Sequence, residues 1–330
     1  MSPLSLFFRP SPLPVDPTRG AGDEDRPSKL LSMAEAIARH VHDGMSIALG
    51  TFMEQKIPFS AAHEIIRQQK SDLELVGPIS DILFDQLIGA GVAARVRAAW
   101  VGNVMMGSAR CFRRAIEKQE PRPLEIIDYS NLTMSLALTA GALGVPYLPT
   151  RSTLGTALLA ANPGLVAYDP PFGKEKLVAV EAIRPDVAIL PVQRSDIYGN
   201  SHNWGSFGVS VEAAHAARAV ILIAEEIVDE EVILSDPNRV LFPGFLATAV
   251  VHDPWGSHPS PVQGYYNRDH EYYAEYERAS RTTEGFDDWL YQAVTAVPDR
   301  RAYLERLGME RIEALKIREH AFAHPVDYGF

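Results

Sequence analysis

Two rhythms of apolar and polar residues take turns along the chain. Short β-type runs occupy Ser46–Leu49, Leu73–Val76, Arg95–Val101, Leu124–Ile127 and Pro146–Leu148, and helical patterns fill the gaps at Ser60–Gln69, Ser80–Ile88, Ser108–Glu120 and Leu132–Leu143. Further β-type runs follow at Lys176–Ile183, Asp186–Val192, Val220–Ala224 and Thr248–Val251. Strands spaced by helices predict an α/β fold, a mostly parallel open sheet with helices on both faces. The nearly unbroken apolar runs Val187–Leu190 and Val220–Ala224 suit strands buried on both sides. Ser32-Met33-Ala34-Glu35 has the form of a capping box, in which each side chain satisfies an amide at the helix start, and Gly44 is expected to end that helix. Near the C terminus Phe286, Trp289, Leu290, Ala293 and Val294 share one helical stripe, which predicts a helical C-terminal cap. Residues 1–27 carry Pro10, Pro12, Pro14, Pro17 and Pro27 and are expected to form a flexible tail ahead of one α/β domain over 28–330.

Charge narrows the range of partners. Acidic residues outnumber basic ones by 42 to 31, for a net charge of −11, and no block of Lys and Arg is present to follow a phosphate backbone. Nucleic acid is therefore not an expected partner, and the acidity reads as a solubility feature. No apolar run approaches the roughly 18–20 residues that cross a bilayer, so no membrane partner is expected. Ser2–Phe8 is apolar but lacks a basic leader and runs into Arg9-Pro10, which predicts a cytoplasmic protein. The lone Cys111 excludes an intrachain disulfide and any multi-Cys metal site, and its helical context assigns it to packing.

Several familiar sites fail on their own physics. Gly89-Ala90-Gly91-Val92-Ala93-Ala94 imitates a dinucleotide fingerprint, but a helix precedes it and a strand follows, the reverse of the order that brings pyrophosphate to helix amides. A helix C-cap turn is the better reading. The ten histidines offer no HExxH and no metal spacing, and there is neither a Gly-x-Ser-x-Gly elbow nor a P-loop.

Three loops carry more chemistry. Gly50-Thr51-Phe52 follows the strand Ser46–Leu49, where a glycine lets substrate meet the main chain and its amides can hold a carboxylate or oxyanion. Lys56 nearby supplies positive charge for an acid, or is simply solvated. Asp128-Tyr129-Ser130-Asn131 is either a polar site loop or the N-cap of the helix after it. Gln193–Asn200 closes the strand Asp186–Val192 and contains the turn Tyr198-Gly199-Asn200. Glu225-Glu226 is a candidate acid or base, or a helix-start pair.

In combination these loops resemble family I coenzyme A-transferases of the glutaconate CoA-transferase α-subunit type, from about Leu31 to about Leu315. The stretches that carry the likeness include Ile47-Ala48-Leu49-Gly50-Thr51-Phe52 with Lys56 and Pro58, Asp85-Gln86-Leu87-Ile88-Gly89, and Phe112-Arg113-Arg114. Further along come Asp128-Tyr129-Ser130, Pro146-Tyr147-Leu148-Pro149, Pro185-Asp186-Val187-Ala188-Ile189, Glu225-Glu226-Ile227, Asp229-Glu230-Glu231 and Gly256-Ser257-His258-Pro259-Ser260.

The resemblance implies a ping-pong transferase in which a glutamate of a partner β subunit takes the acyl group and then coenzyme A, while this chain supplies part of the acid pocket. Coenzyme A thioester is then substrate, with no tightly bound cofactor and no metal. The implied substrate-binding set is Gly50, Thr51, Phe52, Lys56, Asn103, Ser130, Asn131 and Gln193, and no catalytic residue is assigned to this chain. The family's Gly-Gly-Phe loop falls on Gly50, Thr51 and Phe52, so Thr51 departs from it and narrows the pocket or adds a hydroxyl. Asn131 stands where the glutaconate enzyme has a glutamine and ring-opening hydrolases have an acid; an amide transfers no proton. A thioester hydrolase, a decarboxylase, a small-molecule sensor and a non-catalytic structural subunit on the same scaffold stay open. Glu54, beside the Gly50 loop, is expected to be exposed and dispensable.

Overall fold

A computed structural model describes residues 26–49 and 54–317. The expected tail therefore lies outside the described residues except for Arg26 and Pro27, as does the Gly50-Thr51-Phe52 loop.

The first half alternates strand and helix: β1 (Leu30–Leu31), α1 (Met33–His40), β2 (Ser46–Leu49), α2 (Phe59–Arg67), β3 (Leu73–Val76), α3 (Ile82–Gly89), β4 (Ala93–Ala98), α4 (Arg110–Lys118), β5 (Glu125–Asp128) and α5 (Asn131–Ala142). There follow β6 (Tyr147–Thr150), α6 (Ala157–Ala161), β7 (Leu165–Tyr168), β8 (Leu177–Glu181), β9 (Val187–Ser195), β10 (Ser201–His202), α7 (Ser210–Ala216), β11 (Ala219–Ile227), α8 (Glu230–Leu234), β12 (Val240–Phe242) and β13 (Ala249–His252). Four helices close the described chain: α9 (His270–Ala279), α10 (Thr283–Leu290), α11 (Arg300–Leu307) and α12 (Met309–Leu315).

Eight strands lie parallel in the order β1-β13-β11-β9-β2-β3-β4-β5, with β10 and β12 added antiparallel beside β9. The period of two sorts side chains to the two faces. Ile47, Leu49, Val187, Ile189, Ile221 and Ile223 pack under α1, α2, α3 and the C-terminal helices. Ala48, Ala188, Leu190, Val220, Leu222 and Ala224 pack on the other side, against α5 and α7. The stripe Phe286 to Val294 is real and buries Phe286, Ala293 and Val294, but it runs through α10 into a π-helical turn at Tyr291–Thr295.

Some boundaries differ from expectation. The first helix closes at Val41, short of Gly44, although the Ser32–Glu35 capping box forms. The runs Pro146–Leu148 and Lys176–Ile183 do become strands, but β6 and β8 pair antiparallel with β7 in a separate three-stranded sheet. Their local pattern cannot distinguish the two sheets, because the partner strand lies far along the chain. The Gly89–Gly91 stretch is a helix end: α3 stops at Gly89, and Gly91, at φ +73°, turns the chain into β4. A side chain at Gly89 would meet the Phe286 ring at 2.5 Å and Cys111 Sγ at 2.7 Å, so this glycine lets α3 approach α10 and α4.

Candidate functional site

In an open parallel sheet the crevice lies beyond the carboxyl ends of the strands, where the strand order reverses. Here that point is the junction of β2 and β9, since β2 to β5 run to one side and β9, β11 and β13 to the other. Ser80, from the turn after β3, donates its hydroxyl to the carbonyl of Leu49 at 2.7 Å and ties the end of β2 to its neighbour.

Lys56 comes back to this junction as a buried residue, 7% exposed. Its ammonium donates to Asn203 Oδ1 at 2.6 Å and to the Trp204 carbonyl at 3.2 Å, and lies 5.0 Å from the Phe207 ring centre. Each of these partners is neutral. Burial without a carboxylate pushes the Lys56 amine down to about 7. Gln193 donates to the same Trp204 carbonyl at 3.0 Å and accepts from the Trp204 amide at 3.3 Å. The structure thus joins Lys56 and Gln193 through one peptide. Gln193 itself belongs to β9, which continues to Ser195, and not to the loop after it. The solvated reading of Lys56 does not hold.

The other expected residues stand apart from this pair. Asn103 is buried after β4, where its Oδ1 accepts from the amides of Met105 and Met106, each at 3.1 Å, and shapes a turn. Ser130 caps α5 through a reciprocal bond with Thr133. Asn131 is the exposed first residue of that helix. Both belong to the β5 edge of the sheet, three strands from β2.

Glu225 and Glu226 do not start a helix; both lie in β11, and the strand's alternation sends them to opposite faces. Glu226 accepts from Arg194 Nε at 2.8 Å on the neighbouring strand. Glu225 is buried, with Oε1 accepting from the Tyr266 hydroxyl at 2.6 Å and Oε2 from the Trp255 amide at 2.7 Å. Burial raises its carboxyl to about 7 despite those two donors.

Three further charged groups, Glu54, Asp81 and Arg268, are buried. Arg268 donates through Nη2 to Asp81 Oδ2 at 2.7 Å, with both side chains buried. Glu54 is also buried, at 5% exposure, against the expectation of a solvated residue. Its peptide oxygen accepts from Ser260 Oγ, so the Gly256–Ser260 motif anchors this segment. In the same motif His258 Nε2 meets Asp269 Oδ2 and its Nδ1 meets the Tyr303 hydroxyl, each at 2.8 Å. Arg311 of α12 grips Asp269 with two nitrogens, which ties α12 to the start of α9. Fully buried, this His–Asp–Tyr cluster is structural. Sequence reasoning missed Asp81 and Arg268; their only signal is a lone acid and a lone arginine, 187 positions apart.

Among the described residues no group of His, Cys, Asp and Glu is arranged to hold a metal ion, and no helix is long and apolar enough to cross a membrane.

Known proteins extend the picture. The profile of the coenzyme A transferase family matches residues 30–253. A subunit of the 3-oxoadipate CoA-transferase of Pseudomonas knackmussii is 40% identical, over 82% of this chain and 95% of its own length. The corresponding subunit of the glutaconate CoA-transferase of Acidaminococcus fermentans is 33% identical over 88% of this chain and 95% of its own. A crystal structure of the glutaconate enzyme superposes with a TM-score of 0.85 at 33% identity, covering 90% of this chain and 98% of that one. The decarboxylase AibA/AibB shares the fold at a TM-score of 0.69 and 26% identity, over 80% of this chain and all (100%) of that one. This chain belongs to the coenzyme A transferase family, as an α-type subunit of a CoA-transferase.

Proposed function

We propose that this chain, joined to a β subunit in the cytoplasm, moves coenzyme A between an acyl-CoA and a dicarboxylic acid. The observation that carries the reading is Lys56, a buried ammonium at the β2–β9 junction that has only neutral partners. A lysine has three donors, and Asn203 and Trp204 occupy two of them. A substrate carboxylate or a thioester oxyanion supplies the missing negative charge, in a setting where its attraction is little screened. The choice of a diacid is supported by two relatives whose names specify 3-oxoadipate and glutaconate, both dicarboxylates.

The chemistry is acyl exchange. A glutamate carboxylate of the partner attacks the thioester carbonyl, the C–S bond breaks, and coenzyme A leaves as a thiolate. The thiolate then attacks the glutamyl carbon of the resulting anhydride and expels the first acid as its carboxylate. The second acid attacks the glutamyl thioester, and the same steps in reverse yield the new acyl-CoA. Electrons balance without an oxidant or reductant, so no resident cofactor is required. This chain's part is to hold the acid and stabilise the oxyanion.

Co-expression with the β subunit, followed by assay of the purified complex against several acyl-CoA donors and acids of about four to seven carbons, tests the reading. Transfer to diacids by the complex and by neither chain alone is expected. Full activity in a preparation containing only this chain overturns it.

A further inference from the structure

Lys56 sits in a scaffold of amides and hydroxyls. Its backbone has φ +51°, in the left-handed region that side chains rarely enter. Such a conformation persists where the surroundings over-determine it. Here the Lys56 amide donates to the Pro261 carbonyl at 3.1 Å, and Ser260 Oγ donates to the Glu54 carbonyl at 2.8 Å. Gln55 Nε2 donates to the Ser206 carbonyl at 3.0 Å. The Lys56 side chain then runs inward to Asn203 Oδ1 and the Trp204 carbonyl.

Gln193 holds both of those acceptors. It is 0% exposed, so it acts through the groups it grips. Both hydrogens of its Nε2 are used within the chain, on the Trp204 carbonyl at 3.0 Å and the Gln263 carbonyl at 3.3 Å. Its Oε1 accepts from the Trp204 amide at 3.3 Å, the peptide that joins Trp204 to Asn203. One side chain therefore sets the Trp204 carbonyl directly and Asn203 through the main chain. Every member of this set is neutral. A carboxylate in place of Asn203 would grip the lysine as firmly but would cancel its charge, whereas an amide oxygen fixes the ammonium and leaves the charge for a ligand. The charged groups beside Trp204 are Arg194 and Arg239, 5.8 Å and 5.9 Å from its ring centre, and they are paired with Glu226 and Asp236.

Resting on the reading of Lys56 above, we propose that Asn203 and Gln193 are positioning residues of the acid site, neutral amides that aim the Lys56 ammonium and leave its charge uncompensated for an anionic oxygen of the substrate. Neither touches the substrate; both act through Lys56.

The test uses the purified two-subunit complex and follows coenzyme A transfer from succinyl-CoA to adipate across pH. In wild type kcat/KM should fall as Lys56 loses its proton, near pH 7. Asn203→Asp changes one atom of the side chain. It should lower kcat/KM by roughly tenfold or more at about pH 6 and move that falling limb up by at least about one pH unit, because a touching carboxylate favours the charged lysine. Gln193→Met should lower kcat/KM by roughly 10–10² through misplacement of the ammonium. In a Lys56→Met background neither substitution should matter beyond about twofold, since the group they position is gone. Damage to the fold alone would subtract equally in both backgrounds and would leave the limb where it is. Melting temperature reports folding, and if Asn203→Asp does not fold, the Gln193→Met cycle decides. An unmoved limb in a folded Asn203→Asp complex, or additive losses with Lys56→Met, overturns the proposal and leaves the transferase standing. No transfer to any acid by the wild-type complex refutes the transferase itself.

Discussion

Tyr266 donates its hydroxyl proton to Glu225 Oε1 across 2.6 Å, and both side chains are buried at the end of β11. Tyr266→Phe should cost about 1–3 kcal/mol, the usual cost of leaving a buried acceptor unpaired. Its pH dependence has a definite sign. Glu225 titrates at about 7 in the folded chain against 4.5 for the ordinary carboxyl, so the folded state holds an extra proton in that window. Its contribution to stability therefore falls as pH rises from 4.5 to about 7. Removing the hydroxyl raises the folded carboxyl further, so the loss is larger at about pH 8 than at about pH 5. Urea titrations of wild type and variant at both values decide it; an equal loss at both would show that Glu225 is protonated throughout.

Lys56 opposes folding, a cost that its proposed role in the acid site would explain. Its amine titrates at about 7 folded against 10.5 when free, so the unfolded chain binds more protons between those values and wild-type stability climbs with pH across them. Lys56→Met lacks this dependence. Its melting temperature should compare best with wild type at about pH 6 and progressively worse toward about pH 10. Turnover by the complex should fall by roughly 10². Retained turnover would remove Lys56 from the acid site.

Gly89→Ala should destabilise the chain by about 1–3 kcal/mol, because the added methyl meets a buried phenyl ring and a buried thiol, neither of which can swing into solvent. Phe286→Leu in the same background should recover part of the loss by clearing the ring. Thermal melts of the single and double variants measure the coupling, and strict additivity would show that the contact is relaxed elsewhere.

Gly50→Val addresses a loop whose role rests on family resemblance. A branched side chain where main-chain amides meet substrate should lower turnover by about 10²–10³, with the melting temperature and the pairing with the β subunit intact. Full activity would make this loop scaffold.

The strands Ser46–Leu49 and Leu73–Val76 were readable to the residue because turn signals bracket apolar runs buried on both faces. The site was harder to read because distant partners decide burial. Lys56 looks solvated until Asn203, 147 positions on, accepts its hydrogen bond. Glu225-Glu226 looks like a helix-start pair, yet β11 continues through both acids because Arg194 and Tyr266 satisfy one each. The small sheet escaped for the same reason: β6 carries an ordinary strand pattern, but its antiparallel partner β8 arrives only at Leu177. Local rhythm fixes what a segment becomes, and long-range pairing fixes what its polar groups do.

The strand order also dictates a schedule for synthesis. β2, β3, β4 and β5 are neighbours in both sequence and space, so they can assemble as soon as they leave the ribosome. The other edge of β2 belongs to β9, through Ile47 with Val187 and Leu49 with Ile189, and β1 waits for β13 through Leu30 with Val250. A nascent half-sheet therefore carries an open, apolar strand edge while residues 129–186 are being made, the condition that invites pairing with a wrong chain. The strand that leads into the proposed acid site keeps an unpaired edge until β9 arrives.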